Sequence, residues 1–208
     1  MADDKPKVVV VLGPWSSGTS AVAGVVALLG AEAHAPFLRV ADPSTPRSFE
    51  SLALRGVLLD SFDHAGLRRL PLASDTTSKI RNWAGDAPLS VAKMPMLCFF
   101  LSEICAAWEP LFVVVHRSLN AIEASRLRRD WPEEYGSKGA KVIYPLIEAG
   151  IPEGARRLDV DYSELLADPA GQGARIARYC GLAENPDIVR YVLSRGRDGQ
   201  APSFPSSG

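Results

Sequence analysis

Residues 7–20 read KVVVVLGPWSSGTS, and this stretch decides the fold. Val8, Val9, Val10 and Val11 form an unbroken β-branched run with no polar residue to face water. Such a run predicts a strand buried on both faces, as in a parallel sheet. Gly13 to Gly18 then read as a tight loop. Apolar periodicity predicts a helix over 19–29, stopped by Gly30. Two glycines five apart, between strand and helix, are the framework of a phosphate-binding loop. The physics is backbone capture. Glycines let N–H groups converge, and a helix N-terminus adds about half a positive charge. Ser17, Thr19 and Ser20 add hydroxyl donors. Nucleoside triphosphatases place a lysine where Thr19 stands, on the β- and γ-phosphates. A loop without it suits a phosphate that is held rather than transferred. The alternative is a Gly/Ser turn that only joins strand to helix.

Outward from this loop, strands and helices alternate. Residues 31–48 carry Pro36, Pro43 and Pro46 and read as loop-rich. Leu52, Leu58, Leu59 and Phe62 give helical spacing within 49–64. A short strand is expected at 89–92, and Pro95 opens a helix over 96–108. Residues 111–115 are a second buried strand. Helices follow at 120–129 and 133–149, then a weak strand at 157–160. The last helices are 170–180, ended by Gly181, and 186–195. Neither repeat nor linker divides the chain. The expectation is one three-layer α/β/α domain over 1–199, with a central parallel sheet of the P-loop-containing nucleotide-binding type. Residues 200–208, rich in Pro, Ser and Gly, read as a flexible tail.

Composition narrows the partners. The chain has 208 residues, 47% hydrophobic and 23% charged, which is enough apolar material for a core. Its formal net charge is −1, so no broadly basic nucleic-acid surface is expected and any anion needs a local site. Cys98, Cys105 and Cys180 make no disulfide framework. On one helix, Cys98 and Cys105 would stand about 10 Å apart. No Cys-x-x-Cys pair exists, and no metal is expected. The N-terminus shows no leader pattern and no apolar run reaches a membrane span, so a cytoplasmic protein is expected.

A second anion element closes the strand at 111–115. Phe112-Val113-Val114-Val115-His116-Arg117 puts a guanidinium at the carboxyl edge of the sheet, where open α/β folds bind ligands. Ser125 follows eight residues later in the next helix. Guanidinium plus hydroxyl is a phosphate clamp. Arg126, Arg128 and Arg129 add charge nearby, or form a solvated basic face. His116 is placed to line the same site.

Together these elements resemble the sulfotransferase superfamily, whose donor is 3′-phosphoadenosine 5′-phosphosulfate. Gly13 to Ser20 is similar to the family's G-x-x-R-S-G-T-S loop, which binds the 5′-phosphosulfate. Arg117 and Ser125 match its strand-ending Arg and later Ser, which hold the 3′-phosphate. Weaker matches follow in order: Thr45 to Glu50, with its aromatic-Glu ending, then Val91-Ala92-Lys93, then Asp161 to Pro169. The resemblance spans Val8 to Leu182. It implies transfer of a sulfuryl group to a hydroxyl or amine of a small molecule or glycan, with Gly13, Trp15, Ser16, Ser17, Gly18, Thr19, Ser20, Arg117 and Ser125 holding the donor and no metal taking part. The alternatives are a catalytically impaired nucleotide-binding relative and, on glycine spacing alone, a P-loop kinase.

Departures from the family pattern are specific. The loop cation is Ser16 here, and losing one such donor costs a few kcal/mol of transition-state stabilisation. Lys93 and Arg47 are the candidate replacements. Met94-Pro95-Met96 stand where the family has Asp and Arg, and Leu119 where it has Pro. The resemblance implies a general base on the acceptor side. Glu50 is the first choice, its alternative being a carboxylate that favours a helix N-terminus. His34 and His64 are the other candidates. Trp15 either stacks on a ring or packs on the sheet edge.

Overall fold

The computed structural model describes residues 5–40, 42 and 45–195. The expected tail at 200–208 lies outside the described residues. In chain order the elements are β1 (Lys7–Leu12), α1 (Thr19–Leu28), α2 (Leu52–Leu58), β2 (Phe62–Asp63), β3 (Arg68–Arg69), α3 (Thr76–Trp83), β4 (Ser90–Lys93), α4 (Leu101–Ala107), β5 (Glu109–His116), α5 (Leu119–Arg128), α6 (Ser137–Gly150), β6 (Arg157–Asp161), α7 (Tyr162–Ala167), α8 (Pro169–Cys180) and α9 (Asp187–Ser194). Short 3₁₀ turns cover Leu59–Ser61, Pro95–Phe99 and Glu133–Tyr135.

The sheet is parallel, in the order β4-β1-β5-β6. Register pairs Val11 with Lys93, Leu12 with Val114, and His116 with Asp161. The carboxyl ends of all four strands therefore lie along one edge. β1 alternates between two cores, as a central strand must. Val9 and Val11 pack with α1, α8 and α9, through Val25, Ile176 and Val192. Val8, Val10 and Leu12 pack with α2, α3, α4 and α6, through Leu58, Ile80, Ile104 and Ile143. This is the three-layer α/β/α arrangement. Val8, Val9 and Val10 are wholly buried, and each contributes on the order of 2 kcal/mol of burial. Among the described residues no helix is long and apolar enough to cross a membrane.

Several expectations are corrected. The helix expected over 49–64 stops at Leu58, because Phe62 turns extended and pairs with Arg69. The helix expected over 96–108 is a 3₁₀ turn followed by α4, broken at Phe100. The helix expected over 133–149 starts at Ser137, after a 3₁₀ turn and an extended Gly136. Helix α3 lies outside the expected elements, because only Thr76 and Ile80 of its eight residues are buried and it has no long apolar stripe. The short helix α7 also lies outside the expected elements. Asp161 starts it by accepting from the Ser163 and Glu164 N–H groups.

His34 belongs to the packing. Its Nε2 lies 2.9 Å from Ser90 Oγ, and its ring meets the Trp83 edge at 4.6 Å between centroids. Burial lowers its pKa below 6.5, against the upward pull of Glu32. The unfolded chain then takes the proton more readily than the folded one. This contribution is intact above the unfolded value and is lost as pH falls through the lowered folded value. Melting temperature is expected to drop by a few degrees between about pH 7 and 5, and less steeply in His34→Gln, when followed by circular dichroism.

Candidate functional site

The loop after β1 reaches left-handed backbone at Gly13, Ser16 and Gly18, with φ of 152°, 64° and 100°. Gly18 is also required by space, since a Cβ there would stand 2.3 Å from the Tyr162 ring. Ser16 holds such a conformation without being glycine, which costs on the order of 1–3 kcal/mol and persists only where neighbours impose it. No side chain caps α1 and no acid stands in its first turn. Its leading N–H groups have no partner within the helix, which leaves an anion-seeking end.

Arg117 follows directly on β5 and faces this loop. Its Nη1 donates to the Ser16 carbonyl at 2.8 Å and to Ser125 Oγ at 2.9 Å. Its guanidinium lies 5.0 Å from the Tyr162 ring centroid, and its backbone N–H donates to Tyr144 Oη at 3.0 Å. Burial pushes its pKa down, opposed by Tyr162 and reinforced by Arg129 and Arg128. It remains a cation.

The three arginines ending α5 have different partners. Arg126 is structural, bonded to Glu123 and the Trp131 carbonyl. Arg128 and Arg129 both reach Asp42, whose side chain is 1% exposed. Arg129 also donates from Nη1 to Ser16 Oγ at 3.1 Å and from Nη2 to Thr45 Oγ1 at 3.2 Å. Its guanidinium lies over the Trp131 ring at 4.7 Å. Arg129 therefore brings a guanidinium nitrogen to Ser16, the loop residue that lacks a cation.

Glu50 and Lys93 meet across the chain. Lys93 Nζ donates to Glu50 Oε1 at 2.7 Å, and both residues are buried. Lys93 ends β4, opposite Val11. Phe49, just before Glu50, is a buried residue with φ of 59°. Such strain persists only where neighbours impose it. Here Leu38 N–H donates to the Glu50 carbonyl and Glu50 N–H donates to Ser48 Oγ.

Two cavities open on these groups. A cleft of about 440 Å³ is bounded by the loop from Trp15 to Ser20 (except Ser17), by Arg117, Ser125 and Arg129, and by Glu50 and Lys93. Its volume lies within the range of roughly 300–1,000 Å³ usual for small-molecule sites. A neighbouring pocket of about 240 Å³ shares Trp15, Val40, Glu50 and Trp131 with it. Glu50 thus stands at the junction.

The sequence matches no family model and no curated protein. Solved structures do match. The sulfotransferase domain of the Synechococcus PCC 7002 olefin synthase aligns with a TM-score of 0.57 at 18% identity, over 98% of this chain and 84% of its own. The sulfotransferase domain of the curacin biosynthetic pathway aligns at 0.53 and 13%, over 92% and 79%. Sulfotransferase STF9 from Mycobacterium avium aligns at 0.50 and 13%, over 97% and 70%. The fold is that of sulfotransferases.

Within this sulfotransferase fold, the cleft gathers Trp15, Ser16, Gly18, Thr19 and Ser20 with Arg117 and Ser125. Gly13 and Ser17 do not line it. Gly13 is required where a Cβ would crowd Ser17, Thr19 and the Val115 carbonyl. Ser17 is wholly buried, and its Oγ has no hydrogen-bond partner among the described residues. Trp15 packs on Tyr135, with centroids 4.7 Å apart, and borders both cavities. His34 is not brought to either cavity. Arg47 lies over the Phe37 and Phe49 rings. His116 turns to Asp159 and stacks on Tyr144. The sequence singles out neither Tyr162 nor Arg129, which stands there among three basic residues that also suit a solvated face. The one signal for Tyr162 was its place in the late matching stretch.

Proposed function

We propose that the protein is a sulfotransferase that moves a sulfuryl group from 3′-phosphoadenosine 5′-phosphosulfate to a hydroxyl or amine. The observation that carries this reading is the pairing of two anion sites along one cleft. The uncapped N-terminus of α1 suits the phosphosulfate, and Arg117 with Ser125 suits the 3′-phosphate. Residues of both sites line the 440 Å³ cleft, and the fold is one in which sulfotransferases are built.

The acceptor oxygen or nitrogen attacks sulfur in line, and the sulfur–oxygen bond to the leaving phosphate breaks. Glu50, at the junction of the two cavities, takes the acceptor's proton. Lys93 holds Glu50 in place through their 2.7 Å contact. Arg129 supplies the positive charge that Ser16 does not, from α5 instead of from the loop. This reading needs neither Arg47 nor His34. A second reading, a nucleotide binder without transfer, is favoured by one observation: Asp42 partly neutralises Arg129.

The test is calorimetry and thermal shift with adenosine 3′,5′-bisphosphate and with ATP, followed by transfer from labelled donor to an acceptor panel. A ligand that binds only the folded state at about a hundred times its Kd adds roughly 2.7 kcal/mol of stability. The expected result is a shift of several degrees with the bisphosphate, none with ATP, and donor-dependent product. A shift with ATP alone overturns the reading. Bisphosphate binding without product for any acceptor supports the binder.

A further inference from the structure

The 240 Å³ pocket beside the cleft has a charge imbalance. Arg55, half-buried on α2, lines it, and its guanidinium has no hydrogen bond or ion pair among the described residues. The acids nearby are already partnered: Glu50 by Lys93, Asp63 by Arg68 and Glu134 by Lys138. Arg39 adds a second cation at the exposed rim. His64 lines the same pocket, and its Nδ1 lies 3.3 Å from Tyr135 Oη. Its Nε2 is buried without a partner among the described residues. Burial, and then the charge of Arg55, lowers the His64 pKa, which keeps the ring neutral near pH 7. Unpaired positive charge therefore resides on arginine. The remaining wall is apolar and aromatic: Leu38, Met94 and Met96 with Trp15 and Tyr135. A half-buried guanidinium without a counter-ion carries a desolvation cost that an arriving anion relieves.

We infer that this pocket takes a small carboxylate-bearing acceptor, its carboxylate held by Arg55 and its hydroxyl or amine presented to Glu50. The inference rests on the sulfuryl-transfer reading for the reaction, but its carboxylate preference is a separate property of the pocket. A volume of about 240 Å³ suits a compact apolar or aromatic body. The planar guanidinium donates two parallel hydrogen bonds to a carboxylate, which a neutral amide cannot match.

The experiment titrates the full chain by calorimetry, with and without saturating adenosine 3′,5′-bisphosphate. The probes are 4-hydroxyphenylacetate and 3-hydroxybutanoate, each beside its primary amide. At least one acid is expected to bind about tenfold or more tighter than its amide, the scale of one charge-assisted hydrogen bond. Arg55→Gln is expected to erase that preference, while affinity for the bisphosphate, which contacts the other cavity, stays within about twofold. Equal binding of acid and amide for both pairs, or a preference that survives Arg55→Gln, overturns the inference. Failure of the wild type to bind the bisphosphate, with the acid preference intact, overturns the sulfuryl-transfer reading instead.

Discussion

Arg117→Ala is expected to weaken binding of adenosine 3′,5′-bisphosphate by about two orders of magnitude, the scale of truncating one member of a buried charged pair. The reason is convergence. One guanidinium holds the Ser16 carbonyl, and so the strained loop, and meets Ser125 Oγ, to which the proposed reading assigns the same phosphate. Its removal takes away a charge-assisted bond and loosens the loop that supplies the backbone donors. Arg117→Lys is expected to recover little, because an ammonium cannot reach Ser16 and Ser125 in one plane. Arg129→Met provides the contrast. It should leave bisphosphate affinity within a fewfold, yet lower turnover by about a hundredfold or more, as expected when one electrostatic stabiliser of a transition state is lost. Calorimetry with the bisphosphate and steady-state transfer from labelled donor separate the two. Equal losses of affinity in both variants would sink the division of labour between them. Unchanged affinity in Arg117→Ala would remove the 3′-phosphate site.

The contrast between these arginines also shows what a linear sequence can reveal. Arg117 is legible because its placement follows from one local rule: it ends an apolar strand, and ligands gather at strand ends. Gly13 and Gly18 are legible for the same reason, since a buried strand and a helix fix where the loop must turn. Arg129 obeys no such rule. Its partner Asp42 lies 87 residues away in a proline-rich segment, and nothing in the α5 pattern separates Arg129 from Arg126, which serves the local Glu123. Glu50 and Lys93 are each singled out by a nearby motif, but their contact depends on β4 closing beside β1, a tertiary fact. His34 is the converse case. A histidine in a loop-rich segment reads as a candidate base, and Ser90 and Trp83 draw it into packing. Elements fail in the same way. The helical spacing of 49–64 is real, but pairing of Phe62 with Arg69 outweighs it over the last residues. A half-exposed helix such as α3 offers too few buried positions for a period to register.

Lys93→Met carries the largest expected loss of stability. A cation and a carboxylate 2.7 Å apart, with side chains 5% and 10% exposed, have given up most of their hydration. Removing one partner leaves the other buried without compensation, which costs about 3–5 kcal/mol. For a domain of this size that is a fall in melting temperature of roughly 10 °C. The double variant Glu50→Leu/Lys93→Met removes both charges and replaces them with apolar groups of similar length. Because a buried ion pair often does no better than a well-packed apolar pair, most of the stability should return. Transfer should not return with it, since the proposed reading makes Glu50 the proton acceptor and Lys93 the residue that holds it. Bisphosphate binding by the double variant should stay near that of the wild type, because Arg117 and Ser125 are untouched. Thermal melts, calorimetry and a transfer assay on the two variants therefore read three separate properties. If Lys93→Met melts with the wild type, the pair is not a desolvated ion pair. If the stable double variant still transfers the sulfuryl group at the wild-type rate, Glu50 is not the base, and His64 in the adjoining pocket becomes the residue to test.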